Sequence, residues 1–303
     1  MHWIEWACPK CRRPLQGRDD LHCLGCRLGF EEVDGIRGFL TSSRRHRLDQ
    51  FIREYETIRK AERRELSPES YKALPFPDAS SRGKGEWGIR AATFGTFQST
   101  LQEWKKGRSE PLRACDLGAG NCWLSNRLAL EGLQVVAVDL VKNSFDGLRC
   151  RRYFSSVFVC VEAEFDRLPF QSEQFDLAVF NASLHYSTDY RITLEEALRV
   201  LRPGGRIVVL DSPIYRSVQS GEQMVKERER YFESSYGCPS NSLQSEHFLT
   251  FRRLDELGAD LGLSWQSLRP PYGFKWRLHQ WRESLFGSRE PAKFLMLVGT
   301  RKR

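Results

Sequence analysis

The 303-residue sequence has no stretch approaching the roughly 18 consecutive apolar residues that a membrane-spanning helix needs. Its start also lacks a basic patch followed by an apolar run of about 7–15 residues, the mark of a secretory leader, so a chain that stays in the cytoplasm is expected. Neither sign of charge dominates: 47 Lys and Arg stand against 39 Asp and Glu, a net of +8. With 40% apolar and 12% aromatic residues, a disordered tail or a fibre is excluded. Nine cysteines, an odd number in a long chain, argue against a complete disulfide framework. At this length one large domain plus a small module is the natural partition.

What charge surplus exists is clustered. Residues 269–303 carry nine Lys and Arg against Glu283 and Glu290, and a second basic stretch runs from Arg44 to Arg64. Such stretches can follow the phosphates of a nucleic acid, although a solvated face is the commoner role.

Four of the cysteines form two tight pairs, Cys8-Pro9-Lys10-Cys11 and Cys23-Leu24-Gly25-Cys26. Two knuckles of this spacing can close four thiolates around one zinc ion, leaving no open coordination position, so a structural role is expected. The apolar residues read as a core for this module are Leu21, Phe30, Val33, Ile36 and Phe39, too few to hold about forty residues folded by burial. Metal binding can supply the missing free energy. The pattern Cys-Pro-x-Cys, Leu15, Leu21-x-Cys23-x-x-Cys26, Phe30 and Asp34-Gly35-Ile36 resembles the zinc ribbon of the small activator subunit of tRNA and release-factor methyltransferases, with Arg37 where that family usually has proline. Beyond it, Leu48, Phe51, Ile52, Tyr55 and Ile58 recur with helical spacing over residues 44–66, as in an amphipathic connector. Residues 67–88, rich in Ser, Pro and Gly and bearing Tyr71, Phe76 and Trp87, read as a long loop or lid.

From Leu112 onward, short apolar runs alternate with helical patterns: Ala114–Leu117, Val135–Asp139, Val157–Val161, Phe175–Phe180 and Arg206–Asp211. Runs that are apolar throughout imply strands covered on both faces, hence an α/β fold with a doubly wound, mainly parallel sheet. Ligands in this architecture bind beyond the carboxyl ends of the strands, and the first end offers Asp116-Leu117-Gly118-Ala119-Gly120-Asn121. Two glycines there permit a tight turn and a close approach. The third glycine of a dinucleotide site is absent, with Trp123 in its stead, which disfavours a pyrophosphate. Asp139, 19 residues after Gly120, can accept from both hydroxyls of a ribose.

These features resemble class I S-adenosylmethionine-dependent methyltransferases, especially those similar to ubiquinone and menaquinone biosynthesis methyltransferases. The likeness runs from about residue 90 to 300. Asp116–Gly120 matches the first motif, Asp139 the ribose-binding acid, Glu164–Phe170 with Phe175-Asp176 the segment against adenine, and Leu198–Arg206 a further hallmark. The resemblance implies a Rossmann-like, seven-stranded sheet whose last strand, Lys293–Gly299, is antiparallel. It also implies a cofactor site of Asp116, Gly118, Ala119, Gly120, Asp139, Leu140, Glu164, Phe165 and Asn181. By the same match Glu164, where Asp or Asn is more usual, would accept from the adenine amino group.

The expected organisation is a zinc ribbon over residues 1–43, a helical connector and lid over 44–89, and a methyltransferase domain over 90–303 with a lid insertion at about 212–247. Methyl transfer from a sulfonium needs alignment more than acid catalysis, since the leaving group departs neutral. His185, in the Asn181-Ala182-Ser183-Leu184-His185-Tyr186 segment, sits where the resembling family often has histidine; it is the candidate base or pocket-lining group. The Asn/Asp-Pro-Pro-aromatic motif of adenine N-methylation is absent here, and no cysteine follows this strand for base-carbon methylation. A small-molecule or cofactor-precursor acceptor is therefore expected, with no obligate protein partner. The alternative is an RNA methyltransferase of the ribosomal guanine-N1 type, which also carries an amino-terminal zinc ribbon.

Overall fold

The computed structural model describes residues 3–76 and 84–302. Met1, His2, Arg303 and residues 77–83 of the expected loop lie outside them. The ribbon contributes β1 (Leu21–Cys23), β2 (Leu28–Phe30), β3 (Glu32–Val33) and β4 (Ile36–Gly38). Three helices follow, α1 (Ser42–Ala61), α2 (Pro68–Ala73) and α3 (Lys84–Lys105). The alternating part comprises β5 (Arg113–Leu117), α4 (Trp123–Leu130), β6 (Gln134–Asp139), β7 (Val159–Glu162), β8 (Phe175–Asn181), α5 (Tyr190–Val200) and β9 (Leu201–Leu210). The remainder is β10 (Ile214–Tyr215), α6 (Val218–Tyr236), β11 (Leu249–Thr250), α7 (Phe251–Asp260), β12 (Leu263–Leu268), α8 (Gly273–Phe286) and β13 (Met296–Arg301).

The main sheet runs β12-β13-β9-β8-β5-β6-β7-β4-β3. Strands β9, β8, β5, β6 and β7 are mutually parallel, and β13 is antiparallel to both neighbours, as expected. Every residue of β8 is buried, as a strand covered on both faces requires. The expected seven strands are present, but the sheet does not stop at them. Strand β4 pairs in parallel with β7, Ile36 opposite Cys160 and Gly38 opposite Glu162, and β3 closes that edge. Nine strands therefore form one sheet, and the two additions come from the ribbon.

The ribbon's core is accordingly shared. Trp6 stacks on Phe39 with ring centroids 5.2 Å apart and meets Phe170 at 5.6 Å, while Trp3 stands edge-on to Phe175 at 5.6 Å. Leu21, Phe30 and Phe39 are buried in one cluster with Val161, Leu168 and Phe170 of the alternating part. Val33, expected inside, is 56% exposed, because it sits on the two-residue edge strand. The expected loop over 67–88 is partly helical. Ser67 caps α2 by accepting from the Ser70 N–H, with Pro68 at the first turn, and Trp87 lies buried on α3.

Candidate cofactor site and metal centre

The carboxyl ends of β5, β6, β7 and β8 converge on a cleft. After β5 the chain turns through Gly118 (φ +80°) and Gly120 (φ +50°), and the N–H groups of Gly118 and Ala119 donate to the Val138 carbonyl at 2.8 and 3.0 Å. A Cβ on Gly118 would lie 2.3 Å from the Ser183 Cβ, so only glycine fits. Asp139 fixes the other side of the turn: Oδ2 accepts from the Gly120 N–H and Oδ1 from the Val141 N–H, both at 2.8 Å. Burial raises its pKa to about 6 against the opposing effect of those N–H groups. Ala182 and Asp211, immediately after β8 and β9, also have positive φ (51° and 52°), so the rim of the sheet is held in unusual backbone geometry where the cavities open.

One cavity of about 480 Å³ is lined by Gly118, Gly120, Asp139, Leu140, Glu164, Phe165 and Tyr186. A second, of about 360 Å³, continues past the glycine turn and is lined by Ala119, Asn121, Trp123, Asn181 and Arg90. Gly118, Gly120, Ala182 and Tyr55 border both, making them two ends of one cleft. The first end offers a carboxylate beside an aromatic wall, which suits a nucleoside. The second offers the buried Asn181 Oδ1, which has no partner among the described residues, and guanidinium groups at its margin. That combination suits the ammonium and carboxylate of an amino acid. The residues therefore fit S-adenosylmethionine.

Two of the expected cofactor residues behave differently from the simple picture. Asp116 lies behind the turn, fully buried; it accepts from Ser125 Oγ at 2.6 Å and borders neither end of the cleft. Burial raises its pKa to about 7, and the bond from Ser125 opposes that rise. Glu164 does line the cleft, but both its oxygens accept from Arg44 of α1, one at 2.7 Å from Nε. Its carboxylate is thus committed to a bidentate pair before any adenine arrives.

His185 borders a different cavity, of about 530 Å³, together with Tyr186, Asp211, Tyr215, Arg228 and His247. Tyr186 lies on the wall between this cavity and the cofactor cleft. The His185 Nδ1 is 3.3 Å from Ser212 Oγ, and its ring lies tilted against Tyr186 with centroids 4.6 Å apart. Burial, then His247 and the guanidinium groups of Arg228, Arg59 and Arg90, push its pKa down to about 3. A neutral imidazole at every ordinary pH can accept a hydrogen bond but holds a proton poorly. The insertion expected at 212–247 supplies part of this cavity through Met224, Glu227 and Arg228 on α6.

Helix α1 is more than the connector its period suggests, for its Arg44, Leu48, Phe51 and Tyr55 form one wall of the cleft. The helical period was visible in the sequence; the surface it faces was not. The basic stretch it carries is largely paired within the chain. Arg45 meets the buried Glu162 at 2.6 Å, Arg59 meets Glu62 at 2.9 Å, and Arg64 meets Glu62 at 2.9 Å and Glu86 at 3.1 Å. Burial alone would raise the Glu86 pKa, but Arg90 and Arg64 outweigh it and bring it to about 2.

In the ribbon, the sulfurs of Cys8, Cys11, Cys23 and Cys26 all lie within 4.8 Å of one another. Four thiolates on one zinc stand about 3.8 Å apart, given a bond of about 2.3 Å in a tetrahedron. The two knuckles match: Arg12 and Arg27, each following the second cysteine of its pair, have φ of 61° and 54°. Each also donates its N–H to the carbonyl of the first cysteine, Cys8 or Cys23, at 2.8 Å. The Cys26 N–H points at Cys23 Sγ over 3.4 Å. Such a set can hold a closed, structural metal ion.

Comparison with known proteins agrees with this geometry. Residues 115–209 match the methyltransferase domain family. Demethylmenaquinone methyltransferase of Clavibacter sepedonicus is 36% identical over 99 residues, 33% of this chain and 40% of that one. The bifunctional biotin biosynthesis protein BioHC of Cellvibrio japonicus is 25% identical over 146 residues, 46% of this chain and 29% of that one. The chain thus spans at most about two fifths of these two relatives. Among solved structures, a putative S-adenosylmethionine-dependent methyltransferase from Listeria monocytogenes superposes with a TM-score of 0.50 at 14% identity, covering 71% of this chain and all of that one. A putative sarcosine dimethylglycine methyltransferase from Galdieria sulphuraria gives 0.51 at 13% identity, over 71% and 86%. The fold is that of class I S-adenosylmethionine-dependent methyltransferases, and the matched segment is a methyltransferase domain.

Proposed function

We propose that the chain is an S-adenosylmethionine-dependent methyltransferase acting on an O, N or C nucleophile of a small molecule, with one structural zinc in its ribbon. The observation that carries this reading is the glycine turn hooked to the Asp139 carboxylate, with a nucleoside-sized cavity on one side and the unpartnered Asn181 Oδ1 on the other. When bound, the cofactor supplies a methyl group on a positively charged sulfur. Asp139 would hold the ribose hydroxyls, Leu140 and Phe165 would flank adenine, and Asn181 would accept from the ammonium group. Arg44 would brace Glu164 rather than leave it free to read the base.

The acceptor would sit in the cavity beyond Tyr186, whose walls would hold it in line with the methyl group. His185 would orient the acceptor through a hydrogen bond. Its lowered pKa makes it a weak base, which favours a nucleophile that is itself acidic or arrives deprotonated. The pairing of Arg44, Arg45, Arg59 and Arg64 with carboxylates commits half of the eight basic residues of the 44–64 stretch within the chain and so reduces the charge available to follow a phosphate backbone.

Isothermal titration with S-adenosylmethionine tests the cofactor assignment, and the absence of heat would sink it. A labelled-donor screen over metabolite, RNA and protein fractions tests the acceptor class; incorporation confined to RNA would overturn the small-molecule reading.

A further inference from the structure

Helix α8 carries an apolar face that is left exposed among the described residues. Phe274 is 76% exposed, Leu278 45%, Trp281 58% and Leu285 57%. At about 100° per residue these four fall within roughly 60° of one another, a single stripe along the helix. Monomeric soluble proteins seldom leave a contiguous patch of this kind uncovered without a use for it. Arg277 and Arg282 lie on the two sides of the stripe, each about 70° from its centre by the same period, and both are exposed. Residues 273–286 include three basic residues and one acidic one. The acid, Glu283, is on the opposite face, where with His279 and Gln280 it lines the cavity that also holds His185.

We propose that α8 is an interfacial helix that lays this face on an anionic lipid surface. The chemistry of the flanks selects that occupant. Aromatic and aliphatic side chains enter the boundary between headgroups and acyl chains, while arginines on both sides reach lipid phosphates. A second copy of the chain is a poorer cover. Antiparallel pairing of two such helices about their midpoint would set Arg277 of one against Arg282 of the other, and like charges brought together across an interface repel. The outer face docks while the inner face borders a cavity. Resting on the reading of that cavity as the acceptor site, docking turns its helical wall toward the bilayer and suits an acceptor that partitions into lipid.

Vesicle flotation of the full chain tests the proposal. The wild type is expected to float with phosphatidylcholine vesicles containing about one quarter phosphatidylglycerol, and at least about tenfold less with phosphatidylcholine alone. Phe274→Ser with Trp281→Ser, and separately Arg277→Glu with Arg282→Glu, are each expected to cut binding to the anionic vesicles at least about tenfold. Affinity for S-adenosylmethionine is expected to stay unchanged in both, showing that the variants fold. A wild type that stays in solution with anionic vesicles, or variants that float as it does, would overturn the proposal. So would a concentration-dependent dimer in sedimentation equilibrium that Trp281→Ser dissolves while vesicles capture nothing, because a second copy then covers the face. Vesicle binding without any S-adenosylmethionine binding would sink the cofactor reading and leave this one standing.

Discussion

The centre of the sheet and its ribbon edge are held together in different ways. At the centre, β5, β6 and β8 are buried over nearly their whole length, and apolar burial is sufficient to specify them. At the edge, β3 and β4 are two and three residues long, and the ribbon that supplies them has four cysteines placed to hold a metal ion on one side and packs on Phe170 and Phe175 of the main domain on the other. A small module can therefore be part of a large sheet without having a core of its own.

The sharpest way to break this comparison is to remove the metal. Cys23→Ser is expected to take zinc content from about one per chain to none and to strip the ribbon amides of hydrogen-exchange protection, since structural zinc accounts for on the order of 10 kcal/mol in small modules. The central strands should keep theirs. A folded preparation without metal would contradict the account. Next in size, Trp6→Ala is expected to cost about 3–5 kcal/mol, because its ring fills the seam between Phe39 and Phe170. If thermal unfolding then splits into two transitions, ribbon and sheet are separable units; a single lowered transition makes them one.

The centre is tested through its carboxylate. Asp139→Ala should weaken S-adenosylmethionine binding at least about tenfold, on the order of 1.4 kcal/mol, with little change in ribbon protection. The folded pKa of Asp139, near 6, lies above the usual carboxylate value, so the charged form is already disfavoured in the fold. Donor affinity, which needs that charge, should accordingly fall as pH drops from 7.5 through 6, and titration near pH 6 should show proton release on binding. Pocket affinity that is flat across this range would remove Asp139 from the role given to it. The smallest effect is expected at the outer seam. Arg149→Ala breaks the pair with Asp34 of the ribbon, 3.0 Å long but 41% and 62% exposed, and should change the melting free energy by less than about 1 kcal/mol.

Much of the centre was legible because its signals are local. The strand runs, the Gly118-Ala119-Gly120 turn and Asp139 declare themselves within a few residues, and the knuckle spacing does the same for the four cysteines. What escaped reading depends on distant partners. That Arg44 would grip Glu164, 120 residues away, or that Tyr55 would wall the cleft, follows from where an amphipathic helix docks, which its period does not disclose. Trp3 and Trp6 carry no periodic signal at all, and their packing on Phe175 and Phe170 spans over 160 positions. Val33 is outside the core, and a two-residue strand has too little alternation to show which side is wet.

The parallel pairing of β4 with β7 also bears on solubility. Without the ribbon, β7 would present the bare edge of Cys160, Val161 and Glu162 as a template for strand addition by another molecule. The short, acid-flanked hairpin that replaces this border, with Glu31 and Glu32 exposed, offers almost nothing to extend. A chain beginning near residue 42 should therefore scatter light and precipitate at concentrations where the full chain stays clear.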